Sequence, residues 1–498
     1  MSQINVSNLT FGYDGSYDTI FDKVSFQLDT NWKLGFTGRN GKGKTTFLKL
    51  LMGQYEYSGT IAASVEFSYF PFEVKQKERN TIELVDALSG NYEFWELQRE
   101  LSMLEVDYDV LYRPFSTLSQ GEQTKVLLAV LFLRENQFLL IDEPTNHLDM
   151  ASRELVGQYL NSKRGFILVS HDRYFLDQCV DHILSINNTS IEVQRGSYSS
   201  WMENKARQDQ YELGENEKLK KEIKKMTTAA RRTAGWSDAV EKTKKGASRK
   251  LVAGLKPDRG YVGHKAAKMM KRSKATEARK EKAVQEKSKL LKNIDWAGEL
   301  AIKTLSYPKS RLVEVRNLSI AYGAAPVFEN VSFDVNQGDR VALKGRNGCG
   351  KSSILKAVLG EEIPHSGELM VGTQLECSCV SQDTAFLTGS LRAYIRDNSL
   401  DESLFKAILR KLGFSREQFD KGLEAYSSGQ KKKVLLAASL CRPAHLYIWD
   451  EPLNFIDVLS RVQIENLICQ YEPTMLFVEH DRMFMEHVAT KVVTLQAP

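Results

Sequence analysis

GRNGKGKTT, residues 38–46, recurs as GRNGCGKSS at 345–353, and this pair decides how the whole 498-residue chain is read. Both copies fit G-x-x-x-x-G-K-[ST]. Glycines at these spacings let the backbone wrap an anion, so that successive N–H groups and a helix N-terminus face a phosphate. In such a loop Lys44 and Lys351 neutralise β/γ-phosphates, while Thr45 and Ser352 offer a hydroxyl to Mg²⁺. The remaining nucleotide-contact candidates are Gly38, Asn40, Gly41, Gly43 and Thr46 in the first copy. Their counterparts are Gly345, Asn347, Gly348, Gly350 and Ser353. A glycine-rich turn capping a helix would explain one copy, but not two that each follow a strand.

Working outward, three more motifs repeat in the same order. LSQGEQTKVLLA at Leu118 returns as YSSGQKKKVLLA at Tyr426, 308 residues on; Glu143 and Glu451 are also 308 apart, and His171 and His480 are 309 apart. Offsets this constant identify a duplicated domain. We place the copies at 1–200 and 305–498, with a linker at 201–304. Short apolar stretches such as KLGFTG, QFLLID and GFILVSHD alternate with helical ones such as TTFLKLLMG, which predicts α/β copies with a largely parallel sheet. Asp142 and Asp450 close apolar strands, where a carboxylate can hold a Mg²⁺ shell. Glu143 and Glu451 follow at once and are the candidates to orient or deprotonate an attacking water. Helix capping is the plainer reading of such acids; a phosphate loop about 100 residues upstream in both copies argues against it.

Ser119 and Gly121, and Ser427 and Gly429, lie about 23 residues before these Asp-Glu pairs, and His171 and His480 follow about 28 residues after them. The set resembles the signature loop and histidine of ATP-binding cassette ATPases. The resemblance covers both copies and implies two tandem cassettes of the P-loop NTPase fold. It also implies head-to-tail closure, with each ATP between one copy's phosphate loop and the other's signature. Lys44 would then share a site with Ser427 and Gly429, and Lys351 with Ser119 and Gly121. By the same resemblance Tyr13 and Tyr322 match the adenine-stacking aromatic, although a strand aromatic in the core is the plainer reading. His171 and His480 match the γ-phosphate contact, and Gln382 matches a Mg²⁺-contacting glutamine. The first copy departs here: Phe72 is aligned with Gln382, and a phenyl ring cannot ligate a metal. Ser428 and Tyr426 replace a glycine and a leucine of the usual signature, and we expect unequal hydrolysis at the two sites.

Composition sets the frame around this duplication. With 42% hydrophobic and 26% charged residues the chain is neither disordered nor fibrous. Its longest clean apolar run, Val126 to Leu133, is far too short to cross a membrane. MSQINVSNLTFGY carries no secretion-signal pattern, and six scattered cysteines form no disulfide or zinc framework, so we expect a cytoplasmic protein. Charge is unevenly spread. Residues 201–300 hold 27 Lys/Arg against 14 Asp/Glu, a net of +13, while the rest of the chain is net −8. Two stretches, 201–234 and 265–300, are rich in helix formers, and six glycines and prolines fall between 235 and 263. We read a helical hairpin with a tip loop near 235–263.

Paired cassettes without a membrane segment, joined by a basic helical linker, resemble the ABC-F class of translation-associated ATPases. A basic linker independently suits a polyphosphate partner; a solvated, salt-bridged hairpin is the plainer reading. Lys44 to Ser119 and Lys351 to Ser427 span 75 and 76 residues, leaving no room in the first copy for the arm common in housekeeping members. Only 18 residues follow His480, so no long C-terminal extension is expected. With GYVGHKAAKMMKRSKA in the linker, this pattern is similar to the antibiotic-resistance branch, notably its Lsa-type members. The implied partner is the bacterial 70S ribosome, with 23S rRNA and P-site tRNA met through the exit (E) site. The implied role is displacement of lincosamide, pleuromutilin and streptogramin A drugs by a monomer whose cassettes pair intramolecularly. Tip candidates for contact are Lys242, Lys244, Lys245, Arg249, Lys250, Leu251, Leu255, Lys256 and Tyr261. A housekeeping translation factor and a transporter's ATPase subunit are the competing readings.

Overall fold

A computed structural model describes residues 3–13, 19–134, 137–146, 148–187, 190–246, 302–322 and 325–496. Each copy is built on a twisted sheet. In the first copy the strands are β1 (Gln3–Gly12), β2 (Thr19–Asp29), β3 (Lys33–Thr37), β4 (Ser58–Ala63), β5 (Glu66–Phe70), β6 (Gln137–Asp142), β7 (Phe166–Val169), β8 (His182–Asn187) and β9 (Ser190–Arg195). Among the described residues the main sheet has the order β5-β6-β7-β3-β8-β9, parallel except for β8 against β9. β7, FILV, is buried at all four positions, as a parallel strand covered on both faces must be. β2, β1 and β4 form a second, antiparallel sheet, which the reading of a largely parallel architecture did not include.

The second copy repeats the plan with β10 (Arg311–Tyr322), β11 (Ala325–Asn336), β12 (Arg340–Lys344), β13 (His365–Val371), β14 (Cys377–Val380), β15 (Leu446–Asp450), β16 (Met475–Val478) and β17 (Lys491–Thr494). Its parallel sheet runs β14-β15-β16-β12-β17, and β11-β10-β13 is antiparallel.

The phosphate loop leaves β3 and enters the helix Lys44–Leu51. Phe47 anchors that helix: fully buried, it packs against Phe21, Phe26 and Phe36 at 6.0, 5.8 and 5.5 Å between ring centres. Losing such a ring costs about 3–5 kcal/mol, so the loop rests on a stiff base. Gly43 caps the helix with φ of 98°, and a Cβ there would meet Ile20 at 2.5 Å. Gly350 does the same at φ of 85°, with Phe328 at 2.7 Å. Only glycine fits both the left-handed backbone and that space.

The helices Gln120–Leu133 and Ser428–Cys441 start at capping boxes, Ser119 with Glu122 and Ser427 with Gln430. The apolar run Val126–Leu133 lies in the first of these helices and is core rather than a span. No helix among the described residues is long and apolar enough to cross a membrane.

The chain divides into two compact units, 1–201 with 297–498, and 202–296. A helix over Tyr198–Gly246 leads from the first into the second. It continues through Gly235, where sequence composition placed the start of the tip loop. One glycine costs a helix only about 1 kcal/mol, and the alanines, lysines and glutamate around it favour continuation. Lys242, Lys244 and Lys245 therefore lie on a helical backbone. Arg249, Lys250, Leu251, Leu255, Lys256 and Tyr261, and the second helical stretch at 265–300, lie outside the described residues.

Candidate functional site

β6, β7 and β3 are neighbours, so their carboxyl ends gather three motifs at one edge of the sheet. Thr45 Oγ1 donates to Asp142 Oδ2 at 2.9 Å, and His171 Nε2 lies 3.4 Å from Glu143 Oε1. In the second copy Ser352 bonds Asp450, and His480 Nε2 lies 3.3 Å from Glu451 Oε1. Glu143 and Glu451 adopt φ of 53° and 46°, the left-handed region that side-chain-bearing residues avoid. Their backbone N–H groups bond Val169 O and Val478 O on the adjoining strands, which holds the turn in place. Strained backbone at matching positions in both copies is the kind of feature that functional turns retain.

Lys44 Nζ is folded against its own loop, 2.7 Å from Gly38 O and 3.3 Å from Arg39 O; Lys351 Nζ bonds Gly345 O and Arg346 O at 2.9 and 2.8 Å. Burial lowers the Lys44 pKa despite the carboxylates of Asp457, Glu143 and Asp142 nearby. Tyr13 OH pairs with Thr46 Oγ1 and Tyr322 OH donates to Ser353 Oγ, which fixes both rings beside the loops with their faces substantially exposed. Neither ring is core, so the plainer sequence reading of these tyrosines does not hold.

A cavity of about 480 Å³ joins the copies. Asn40, Lys44, Thr45, Asp142, Glu143 and His171 line it from one side, and Ser427, Gly429 and Lys433 from the other, with Tyr13 at its rim. Asn40 Nδ2 donates to Phe455 O at 2.8 Å across the boundary. A Cβ at Gly429 would stand 2.5 Å from Phe455 O, so glycine is required by the second copy's own backbone, and Asn40 Nδ2 of the first copy stands 3.4 Å from the same point. The opposite pairing is looser: Asn347 N–H reaches Asp149 Oδ2 at 3.4 Å, and Gly121 faces Leu148 of its own copy. Lys44 is thus brought together with Ser427 and Gly429. At the second phosphate loop the described contact from the first copy is Asp149 on Asn347, not Ser119 or Gly121.

Electrostatics differ between the copies. Burial, and then repulsion from Asp142, push the Glu143 pKa up to about 8. Burial also acts on Glu451, but His480, Lys432 and Lys351 outweigh it and hold its carboxyl below the usual range. Gln382 Nε2 and Asn454 Nδ2 both donate to Glu451 Oε2, at 2.9 and 2.5 Å. Strand register puts Phe70 opposite Ile141 and Val380 opposite Trp449, so Phe72 does occupy the place of Gln382. Its ring packs under the Arg134 guanidinium, 5.0 Å away. His171 is driven well below its ordinary pKa by burial and the cations Lys44 and Arg461, which keeps its imidazole neutral.

Sequence reading missed several participants. Tyr69 OH donates to Asp142 Oδ2 at 3.0 Å, one strand over from the motif it serves. Lys432 bonds Ser381 O and Asp450 O, and Lys433 pairs with Asp457 at 2.6 Å in full burial. In the sequence these lysines are two of a KKK run, which reads as a solvated face. Phe455, with φ of 64°, presents the carbonyl that Asn40 reads.

A family model described as ABC transporter matches residues 21–146 and 328–454, once in each copy. Over 483 residues the chain is 29% identical to the ribosome protection protein VmlR of Bacillus subtilis (strain 168), covering 95% of this chain and 83% of that protein. It is 27% identical over 557 residues to ABC transporter F family member 2 of Arabidopsis thaliana, covering 99% and 76% respectively. A solved structure of archaeal ribosome recycling factor aABCE1 with the archaeal ribosomal stalk protein aP1 shares the fold at a TM-score of 0.63 and 18% identity, over 99% of this chain and 88% of that one.

Proposed function

The chain belongs to the ABC transporter family and is an ATP-binding ATPase, and from that premise we propose that it is an ATP-driven clamp acting on the bacterial ribosome. The observation that carries the reading is the cavity in which Lys44 of one copy and Ser427 and Gly429 of the other converge. ATP bound there bridges the cassettes, and hydrolysis removes the bridge. Lys44 and Lys351 hold the phosphates; Tyr13 and Tyr322 flank the base. Glu143 and Glu451 orient the attacking water, with His171 and His480 beside the γ-phosphate. Ser119 and Gly121 complete the second site opposite Lys351.

Mg²⁺ fits the residues present. Asp450 Oδ1 is buried without a hydrogen-bond partner, and Ser352, Gln382 and, in the first copy, Thr45 and Asp142 supply hard oxygens. No cluster of three His, Cys, Asp or Glu side chains occurs among the described residues. A metal bound mainly through one carboxylate, a hydroxyl and phosphate oxygens is the form Mg²⁺ prefers. When bound it supplies positive charge to the phosphate oxygens.

The ribosome follows from chemistry and likeness together. A linker of net +13 suits rRNA, and the relative VmlR carries ribosome protection in its name. In this reading the closed form enters the E site and the linker tip approaches the peptidyl-transferase centre. Lincosamide, pleuromutilin and streptogramin A drugs are dislodged, with P-site tRNA and 23S rRNA as the surfaces met. Hydrolysis then drives release of a cytoplasmic monomer. A housekeeping F-class role without drugs is the second reading, supported by the match to the Arabidopsis F family member over 99% of this chain and 76% of that protein.

Co-sedimentation tests the clamp. The Glu143→Gln/Glu451→Gln protein should pellet with 70S ribosomes in ATP and stay in the supernatant in ADP. Equal behaviour in both nucleotides, with ATP binding verified, overturns it. Drug protection in a translation assay then separates the two readings.

A further inference from the structure

The segment 90–112 of the first copy, GNYEFWELQRELSMLEVDYDVLY, holds six acids and one base. It forms the helix Phe94–Met103 and a short 3-10 turn at Tyr108–Tyr112. Leu97, Leu101, Leu104, Val110 and Leu111 bury inward. Phe94, Trp95, Met103, Tyr108 and Tyr112 face out instead, Trp95 at 56% and Tyr112 at 70% exposure. Arg99 lies over the Trp95 ring at 5.4 Å, and Tyr108 OH donates to Gln98 O, which ties the turn to the same helix.

The second copy supplies an internal control. Its helix Glu402–Lys411 and turn Arg416–Asp420 match the first element for element at an offset of 308. At the five outward positions it carries Glu402, Ser403, Lys411, Arg416 and Asp420, and its segment 398–420 has four acids and four bases. The fold therefore does not require exposed aromatics here. Concentrated apolar exposure without a structural need marks an interaction surface.

We propose that this acidic, aromatic face of the first cassette docks a Lys/Arg-rich protein segment. Glu93, Glu105, Asp107 and Asp109, all exposed, alternate with these residues along the same segment. Cations stack on aromatic faces and pair with carboxylates, whereas nucleic acid and anionic membranes are repelled by the same charge. No residue of 90–112 lines the cavity that holds Lys44, and the proposal stands whether or not the ribosome is the partner.

The test is titration calorimetry of the full chain with a short peptide alternating Lys/Arg with Leu, and with a single-stranded RNA of similar length. The protein is compared with a variant carrying the second copy's residues: Phe94→Glu, Trp95→Ser, Met103→Lys, Tyr108→Arg and Tyr112→Asp. Peptide affinity should fall roughly tenfold or more in the variant, as loss of aromatic anchors does at other interfaces. ATP hydrolysis should be unchanged, and RNA binding should be the same in both proteins. Equal peptide affinity overturns the proposal, as does RNA binding that is lost with the exchange. Should the exchanged protein fail to fold, Glu105→Lys/Asp107→Lys/Asp109→Lys decides by the same readout.

Discussion

Two copies of one fold sit in this chain, and their phosphate edges are not equivalent. Glu451 accepts from Gln382 and Asn454 and is held as an anion by His480, Lys432 and Lys351 against burial, while Glu143 lacks the glutamine and is pushed towards its protonated form by burial and Asp142. Closure is unequal in the opposite sense, tight around Lys44 through Asn40 and Phe455 and looser around Lys351. Interface pairs differ as well. Arg173 reaches across to Glu465 at 2.5 Å in burial, whereas its counterpart Arg482 stacks on Tyr174 at 4.6 Å, because Gly157 stands where Glu465 does. Duplication has kept the two glycine-rich loops alike and has let their surroundings diverge. One pocket is built for closure; the other has the more complete shell around its carboxylate.

The sharpest way to break this comparison is to neutralise each glutamate alone. We expect Glu451→Gln to lower ATP turnover by about 10²–10³-fold, the scale of a lost general base. Glu143→Gln should lower it less, and identical losses in steady-state assays would make the sites equivalent after all.

Next in size is a stability effect. Lys433→Met strands the buried Asp457 carboxylate, and breaking such a pair costs about 3–5 kcal/mol. Lys125→Met, at the half-buried counterpart, should cost about 1 kcal/mol or less in urea melts. The sign with pH follows from Asp457, whose carboxyl is held well below the usual range: burial alone would raise it, but Lys433 overrides that. Its contribution is present above the unfolded pKa near about 4 and lost as pH falls through the lower folded value. The gap between wild type and Lys433→Met should thus shrink in acid; a gap constant from neutral pH into strong acid would rule out this pair as its source.

The smallest expected change sharpens the comparison. In a Glu143→Gln background, Gln382→Phe gives the second site the first site's residue and should slow turnover by about tenfold, or 1.4 kcal/mol. No change would mean that Gln382 acts on neither metal nor glutamate.

Much of the site was legible because phosphate binding is local chemistry. Gly41, Gly43, Lys44 and Thr45 are consecutive in function as in sequence, and their order alone predicts a loop and a helix start. Asp142 and Glu143 were legible as the end of an apolar run. Tyr69 was not, since its bond to Asp142 depends on β5 lying beside β6 in one register. Lys433 was not, since nothing in KKK tells which amine is buried against Asp457. Gly235 was overread as a break; the helix around it is long enough to absorb one glycine.

Sequence by itself determined the duplication, the two phosphate loops, the order of strand and helix, and the charge of the linker, all properties of spacing and residue type. The tertiary structure decided which copy's glycine faces which copy's lysine, which glutamate keeps its charge, and which aromatics are left exposed. Those outcomes depend on burial and on contacts between residues hundreds of positions apart. Desolvation and packing, unlike backbone conformation, are set by neighbours that the local sequence does not name.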